Sequence, residues 1–277
     1  IMNRFRKENK SVIFISHDLD EIMEVCDTLT VLRDGKIIRT FEKAEFEAGA
    51  IRASMIGREL QGDYYRSDFQ ASSQPEVALD VRNLVYEDRL KGISFQVHKG
   101  EIVGIGGLAH CGMHSLGKVC FGALKPEEGS VTVEDGTIID SPAIAMKKRV
   151  GYVSKDRDVE SLCLNASIED NISIAGMSEF AINNFLILKN REKKYVNHQI
   201  EELSIKCAGR DQSVSQLSGG NKQKVVFGKW IGCGSEILIL DCPTRGVDIG
   251  VKQAMYQLMV RLKNEGKSIL MISEELP

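Results

Sequence analysis

The sequence lacks an uninterrupted apolar run of eighteen residues, lacks an amino-terminal signal pattern, and has a net charge of only -3. The first two absences argue against a membrane-spanning or secreted chain. The small net charge gives no reason to expect nucleic acid or an anionic membrane as a direct partner. The seven cysteines are scattered and never closer than nine residues, so neither a zinc motif nor a disulfide framework is predicted. The remaining composition, 43% hydrophobic and 27% charged, is that of an ordinary globular protein.

The two ends of the chain repeat one another. At an offset of 257 residues, eight of twenty aligned positions are identical, beginning with Met2 and its counterpart Met259. Each copy contains the end of a helix followed by a strand-like β-branched run, which is 11–16 in the first copy. A repeat of this period indicates a duplicated domain. We expect a fragment with the tail of a first domain at 1–45, a helix and linker at 46–75, and most of a second domain at 76–277.

Strand-like and helix-like patterns alternate through the second copy, from Val77 onward. This alternation predicts an α/β core with a mostly parallel sheet. Residues from about 162 to 231 are richer in helical pattern and predict a helical insertion. In the first part of the chain, 29–38 predicts a β-hairpin, 46–60 has helical spacing, and the polar run 61–74 is typical of a linker.

The most specific motif is Leu-Ser-Gly-Gly-Asn-Lys-Gln at 217–223. A small hydroxyl and two glycines at a helix start, here Ser218, Gly219 and Gly220, let backbone N–H groups approach a phosphate closely. The alternative is an N-capped helix after a tight turn. Further along, the apolar strand 237–241 ends in Asp241, as a Walker B element does, and a loop containing Asp248 follows. The order and spacing of these motifs favour a nucleotide-binding interpretation.

A loop between a predicted strand and a predicted helix lies where a phosphate-binding P-loop is expected. It is formed by Gly107, Leu108, Ala109, His110, Cys111, Gly112, Met113 and His114. Two glycines have the P-loop spacing, but the lysine position holds Met113 and the hydroxyl position holds His114. Gly104, Gly106 and Ala109 also fit a loose dinucleotide fingerprint, which the downstream motifs do not support.

Together these motifs resemble those of the ATP-binding subunits of carbohydrate ABC importers of the ribose, galactose and xylose type, which carry two fused ABC domains. The segments 55–60, 152–157 and 217–231 resemble the joint, the Q-loop replacement and the extended signature helix of that group. The resemblance covers essentially the whole chain. It implies a P-loop NTPase-like ABC ATPase core, with a mostly parallel sheet, an antiparallel β subdomain and a helical subdomain.

The resemblance also assigns residue roles, because ABC domains pair head to tail and share their nucleotide sites. His17 resembles the catalytic switch histidine of the first domain. Ser218, Gly219, Gly220 and Gln223 would close over that same site as the signature motif. Asp248 holds the D-loop position, and Tyr86 is a candidate for stacking on adenine.

The second domain's own site departs from the family at four positions. Met113 replaces the lysine, a loss of about 1.5–3 kcal/mol for a charge-assisted hydrogen bond, and His114 replaces the hydroxyl that ligates Mg²⁺. Cys242 stands at the catalytic glutamate and Glu274 at the switch histidine. Lys155, where the family has glutamine or glutamate, and His110, where it has glycine, are further departures. We therefore expect this site to be hydrolytically inactive, and we assign it no metal ligands.

The resemblance implies a motor subunit that couples ATP binding and hydrolysis to uptake of simple sugars. ATP and Mg²⁺ would act mainly at the site completed by the missing amino-terminal ABC domain. Its partners would be that domain, transmembrane permease subunits and, indirectly, an extracytoplasmic sugar-binding protein, without nucleic acid. The protein would lie peripherally on the cytoplasmic face of the membrane.

Two alternatives remain, one a different kind of ABC protein and the other from another functional class. A soluble tandem ABC protein of the translation-factor type would need a long charged connector and an intact catalytic acid. A regulatory pseudo-ATPase would bind partners without turning over ATP. A non-ABC dinucleotide enzyme is disfavoured by the motif at 218–223.

Overall fold

The computed structural model describes residues 2–16, 19–33, 35–56, 73–108, 110–182 and 186–274. Its helices are α1 (Met2–Lys7), α2 (Leu19–Val25), α3 (Ala48–Ile56), α4 (Met113–Cys120), α5 (Pro142–Lys147), α6 (Ile168–Ser173), α7 (Met177–Phe180), α8 (Lys189–Glu202), α9 (Gly219–Gly232) and α10 (Ile249–Asn264). Its strands are β1 (Thr28–Arg33), β2 (Lys36–Glu42), β3 (Val77–Tyr86), β4 (Leu90–His98), β5 (Ile102–Gly106), β6 (Glu128–Val133), β7 (Val150–Val153), β8 (Ala181–Ile182), β9 (Leu186–Ile187), β10 (Ile237–Asp241) and β11 (Ser268–Ser273).

The chain divides into two units, one formed by Ile1–Phe69 with Val247–Tyr256 and the other by Gln70–Gly246 with Gln257–Pro277. In the first unit, β1 and β2 pair antiparallel, as the hairpin prediction requires. Helix α3 packs on this hairpin. The small core of this unit consists of four buried side chains, those of Leu19, Val31, Phe41 and Ile51.

The strand predicted at 11–16 is not formed. This segment has no regular structure, and Ile13 and Ile15 are almost fully exposed, at 92% and 91%. Its repeat counterpart β11 lies between two parallel neighbours, β5 and β10. Among the described residues, no strand pairs with 11–16, so its backbone groups lack the ladder partners that a strand requires. The predicted linker and joint fall mainly on 57–72, outside the described residues.

The parallel sheet of the second unit has the strand order β5-β11-β10-β7. Strand β10 is buried at every position, which explains its continuous apolar sequence. A second, antiparallel sheet has the order β4-β3-β6. Helices α6, α8 and α9 all lie between β7 and β10 in the sequence. In the structure, α6 packs against both α8 and α9. The expected α/β core with a mostly parallel sheet and an antiparallel sheet is thus confirmed.

Because β10 is an inner strand of the parallel sheet, truncation of its side chains is expected to lower the free energy of unfolding substantially. Leu240 has no exposed surface, so Leu240→Ala is expected to lower the free energy of unfolding by about 2–5 kcal/mol. Ile138→Ala is the control, because 54% of Ile138 is exposed. Urea unfolding of both variants measures the difference, and equal midpoints would contradict the assigned core.

Candidate functional site

The carboxyl ends of the four parallel strands bring five of the predicted site residues together. Asp241 is the last residue of β10 and Cys242 comes directly after it, Glu274 directly follows β11, and Lys155 follows β7. His114 is the second residue of α4, the helix that follows the loop after β5. Each strand of the sheet therefore contributes to one cluster, at the edge where α/β proteins bind ligands.

The loop between β5 and α4 is closed by its own contacts. The Cys111 N–H donates to the Leu108 carbonyl at 3.1 Å, so it is satisfied within the loop. A Cβ atom added to Gly107 would come within 2.5 Å of the Cys111 Sγ, which shows that this side chain lies against the backbone of the loop. Gly112 caps α4 with φ at +96°. Ala109 lies outside the described residues.

Met113 and His114 begin α4 but have different surroundings. Met113 is only 3% exposed, so its side chain is packed inside the protein. His114 is partly exposed and contacts polar groups with both ring nitrogens. Its Nδ1 donates to Asp241 Oδ1 at 2.7 Å, and its Nε2 lies 3.0 Å from both Glu274 Oε1 and Lys155 Nζ.

Lys155 and Glu274 form an ion pair beside this histidine. The Lys155 ammonium donates to Glu274 Oε1 at 2.6 Å. This hydrogen bond, together with His114, lowers the pKa of Glu274 to about 2, so the carboxyl group is ionised at neutral pH. His114 Nδ1–H donates to Asp241, and Nε2 faces the Lys155–Glu274 ion pair. Lys155, Glu274, His114 and Asp241 thus form a continuous chain of contacts, which we call the polar network.

Asp241 is the buried end of the polar network. Its side chain has no exposed surface, and burial raises its pKa, while the hydrogen bond from His114 opposes that shift. Tyr152 in β7 donates its hydroxyl to Asp241 Oδ2 at 3.3 Å. Tyr152 was not predicted as a site residue, although the motif 152–157 contains it; its apolar surroundings gave no signal of this contact.

Cys242 lies next to Asp241 in an unusual backbone conformation. Its φ is +47°, a left-handed value that is uncommon for a residue with a side chain. Its N–H donates to the Ile272 carbonyl at 2.9 Å, which ties the end of β10 to β11. The side chain is 8% exposed, and burial raises the pKa of the thiol to about 11. The thiol is therefore protonated at neutral pH.

The signature motif lies at the start of α9. Ser218 is the N-cap of this helix, and its Oγ accepts from the Asn221 side-chain amide at 3.0 Å. Gln223 is buried and accepts from Arg157 Nη1 at 3.4 Å. Arg157 also donates to the Arg245 and Gly246 carbonyls at 2.7 and 3.1 Å. Arg157 thereby joins α9 to the loop after β10, a role the sequence did not predict.

Two other predicted residues, Asp248 and Tyr86, are described by their local contacts. Asp248 accepts from the Val251 N–H at 3.0 Å, within the first turn of α10. Tyr86 is the last residue of β3 and is half-buried. Near it, Arg89 donates to the Ser115 hydroxyl at 3.3 Å, so Ser115 is engaged rather than available as a replacement for the missing P-loop hydroxyl. His17 lies outside the described residues.

The residues of this site do not fit Mg²⁺-ATP. Mg²⁺ prefers oxygen ligands, whereas His114 offers nitrogen and Cys242 offers sulfur. Of these three side chains, only Asp241 offers the oxygen ligands that Mg²⁺ prefers. The Met113 side chain supplies no cation for a phosphate. We therefore derive no catalytic step for this site.

Comparisons with known proteins identify the class. Residues 90–245 match the family model described as ABC transporter. The ribose import ATP-binding proteins RbsA of Clostridium tetani and Bacillus subtilis are each 37% identical over 278 residues, covering 100% of this chain and 54% and 56% of the relatives. The chain belongs to the ABC transporter family, and it spans about half the length of these curated relatives.

Solved structures agree on the fold. An ATP-binding cassette of an ABC transporter in its ADP conformation has a TM-score of 0.59 at 22% identity, covering 73% of this chain and 82% of that one. A part of an ABC transporter complex from Clostridium perfringens has a TM-score of 0.58 at 28% identity, covering 72% and 79%. Within the described residues, no helix is both long and apolar enough to cross a membrane.

The backbone conformation at Gly112 predicts that a residue with a side chain at this position destabilises the protein. A Cβ at this position would lie 2.4 Å from the Arg89 carbonyl oxygen, in addition to the left-handed φ. Gly112→Ala is expected to lower the free energy of unfolding by at least about 1–2 kcal/mol, the cost of a left-handed alanine alone. Gly104→Ala is the control, because a Cβ there meets nothing within 4 Å. Equal thermal stability of both variants would contradict the described loop.

Removal of the imidazole tests the polar network itself. His114→Ala leaves the buried Asp241 carboxylate without its shortest hydrogen bond, which should cost about 1.5–3 kcal/mol at neutral pH. His98→Ala is the control, since His98 contacts Glu101 at a partly exposed site where such a pair contributes about 1 kcal/mol or less. Chemical denaturation distinguishes the two; a cost for His114→Ala no larger than for His98→Ala would mean that the network does not stabilise the fold.

Proposed function

We propose that this chain is part of the motor subunit of an ABC importer for simple sugars, and that its own nucleotide site does not hydrolyse ATP. The importer role is supported by the names of the most similar relatives, which are ribose import ATP-binding proteins. The substrate class is proposed from those names and from the importer-type motifs, because the sugar itself would contact other subunits.

The polar network carries the proposal that the second site is inactive. In an active ABC site, the P-loop lysine, the Mg²⁺ ligand, the catalytic acid and the switch histidine act on the triphosphate. Here, the replacements His114, Lys155 and Glu274 contact one another and Asp241 instead. A protonated Cys242 thiol is also a poor substitute for a carboxylate that must activate water.

The signature motif supports activity at a different site. The N-cap at Ser218 and the buried glycine Gly220 keep the helix start of α9 in a form that suits a phosphate from a facing domain. Arg157 anchors this region through three hydrogen bonds. We propose that Ser218, Gly219 and Gly220 act across the interface, on the site that contains His17, and that ATP and Mg²⁺ function mainly there.

The assembly is proposed on the same basis. The partners are a first ABC domain, of which 1–45 would be the tail, and transmembrane permease subunits. A sugar-binding protein outside the membrane would contact the permease rather than this chain. The protein would therefore act at the cytoplasmic face of the membrane.

Hydrolysis measurements test this asymmetry. The 277-residue chain alone is expected to show no Mg²⁺-dependent ATP turnover, whereas the two-domain protein is expected to turn over ATP. In the two-domain protein, His17→Ala should lower kcat about 100-fold or more, as expected for the loss of one group that stabilises developing charge. Cys242→Ala should have a far smaller effect, and His98→Ala serves as the histidine control.

Two results would contradict the proposal. Turnover by the 277-residue chain alone would mean that Met113 and Cys242 do not disable its site. A wild-type rate after His17→Ala would remove His17 from the catalytic machinery. If the two-domain protein also lacked turnover, the regulatory pseudo-ATPase would be the better description.

A further inference from the structure

The replacements at the second nucleotide site change the kind of ion that it suits. A ring nitrogen of His114, an Asp241 carboxylate oxygen and Cys242 Sγ all lie within 4.8 Å of one another, and His114 Nδ1 is the nitrogen that contacts Asp241. These three donors come from one helix start and one strand end, which the sheet holds in fixed register. Imidazole, carboxylate and thiolate together are typical ligands of Zn²⁺ and related transition metals, and not of Mg²⁺.

We propose that His114, Asp241 and Cys242 form a binding site for one Zn²⁺-like transition-metal ion. The ligand atoms of a tetrahedral zinc site are separated by about 3–4 Å, as follows from zinc–ligand distances of about 2.0–2.3 Å. The three candidate ligand atoms already lie within 4.8 Å of one another, which is close to that spacing. The fourth position would be taken by water, since the His114 side chain remains 24% exposed.

The surroundings of the three ligands provide a second, independent observation. Metal-bound histidines donate their other ring N–H to a carboxylate, and metal-bound carboxylates are themselves hydrogen-bonded. Glu274 Oε1 lies 3.0 Å from His114 Nε2, and its own position is fixed by Lys155. Tyr152 donates to Asp241 Oδ2, and an ion bound by Oδ1 would replace the hydrogen bond that joins Oδ1 to His114 Nδ1. Both supporting contacts are therefore already in place.

Charge and proton balance are also satisfied. Binding breaks the S–H bond of Cys242, and this proton leaves to solvent, because a coordinating thiol is deprotonated by the ion. The ring proton that His114 Nδ1 donates to Asp241 moves to Nε2, where the Glu274 carboxylate accepts it, so that Nδ1 can coordinate the ion. The two charges of the ion are then balanced by the Cys242 thiolate and the Asp241 carboxylate, while Lys155 and Glu274 neutralise each other.

The inference concerns metal binding by this chain alone and does not depend on the transport function. The test uses the reduced, chelator-treated 277-residue chain and Co²⁺ as a spectroscopic probe. We expect one equivalent of Co²⁺ to produce thiolate-to-cobalt charge-transfer absorption with tetrahedral d–d bands. Zn²⁺ should abolish this signal by competition, and excess Mg²⁺ should not. Absence of any Co²⁺ signal would overturn the proposal.

Variants locate the ion. Cys242→Ser, a nearly isosteric change, should remove the charge-transfer absorption, and His114→Asn should weaken binding at least about tenfold, while circular dichroism confirms that both remain folded. Cys111→Ser is the matched control, because Cys111 is an exposed free thiol in the neighbouring loop. It should leave the signal intact. Absorption that survives Cys242→Ser, or that disappears with Cys111→Ser, would show that the ion binds elsewhere.

The Glu274→Ala variant tests whether Glu274 orients the His114 imidazole for the metal ion. Glu274→Ala should keep the charge-transfer absorption, because the three ligands remain, but should weaken Zn²⁺ affinity about 10–100-fold. Unchanged affinity would contradict the role of Glu274 in orienting the imidazole. ATP hydrolysis by the two-domain protein is measured separately, so failure of the metal site and failure of the transport proposal are distinguishable.

Discussion

The structure of the second site depends on the burial of one carboxylate. Asp241 ends the central strand of the parallel sheet with no exposed surface, and an isolated buried charge would be too costly to keep. His114 and Tyr152 supply the hydrogen bonds that make the position tolerable. His114 also contacts Lys155 and Glu274. The hydrogen bond that stabilises the buried Asp241 carboxylate is therefore part of a network at the carboxyl ends of all four strands. Three of the departures from the family pattern, at His114, Lys155 and Glu274, therefore form one contact system.

This dependence explains how the sheet edge remains folded with these replacements in place. In this chain, Lys155 neutralises Glu274, and His114 hydrogen-bonds Asp241, so the edge is stable by itself. The start of α9 is anchored separately, through the hydrogen bonds of Arg157. A thiol and an imidazole beside a carboxylate also make the same edge suitable for a different ion.

Sequence reasoning succeeded where a local pattern had one physical interpretation. The apolar run of β10, the hairpin at β1 and β2 and the cap at Ser218 were all predictable, because each depends on neighbouring residues. It was wrong at 11–16, where the β-branched composition is that of a strand but no described neighbour completes the ladder. Strand propensity mainly reflects packing against partners, and composition cannot supply those partners.

The sequence by itself determined the class of protein and the identity of each altered site residue, because motif order and spacing are properties of the chain. It could not determine what those residues do together. His114 and Asp241 are separated by 127 positions, and His114 and Glu274 by 160. Only the parallel register of β5, β11, β10 and β7 brings them within hydrogen-bonding distance. Cysteine spacing likewise gave no sign of a metal site, since the three candidate ligands meet only where α4 and the end of β10 come together in the folded sheet.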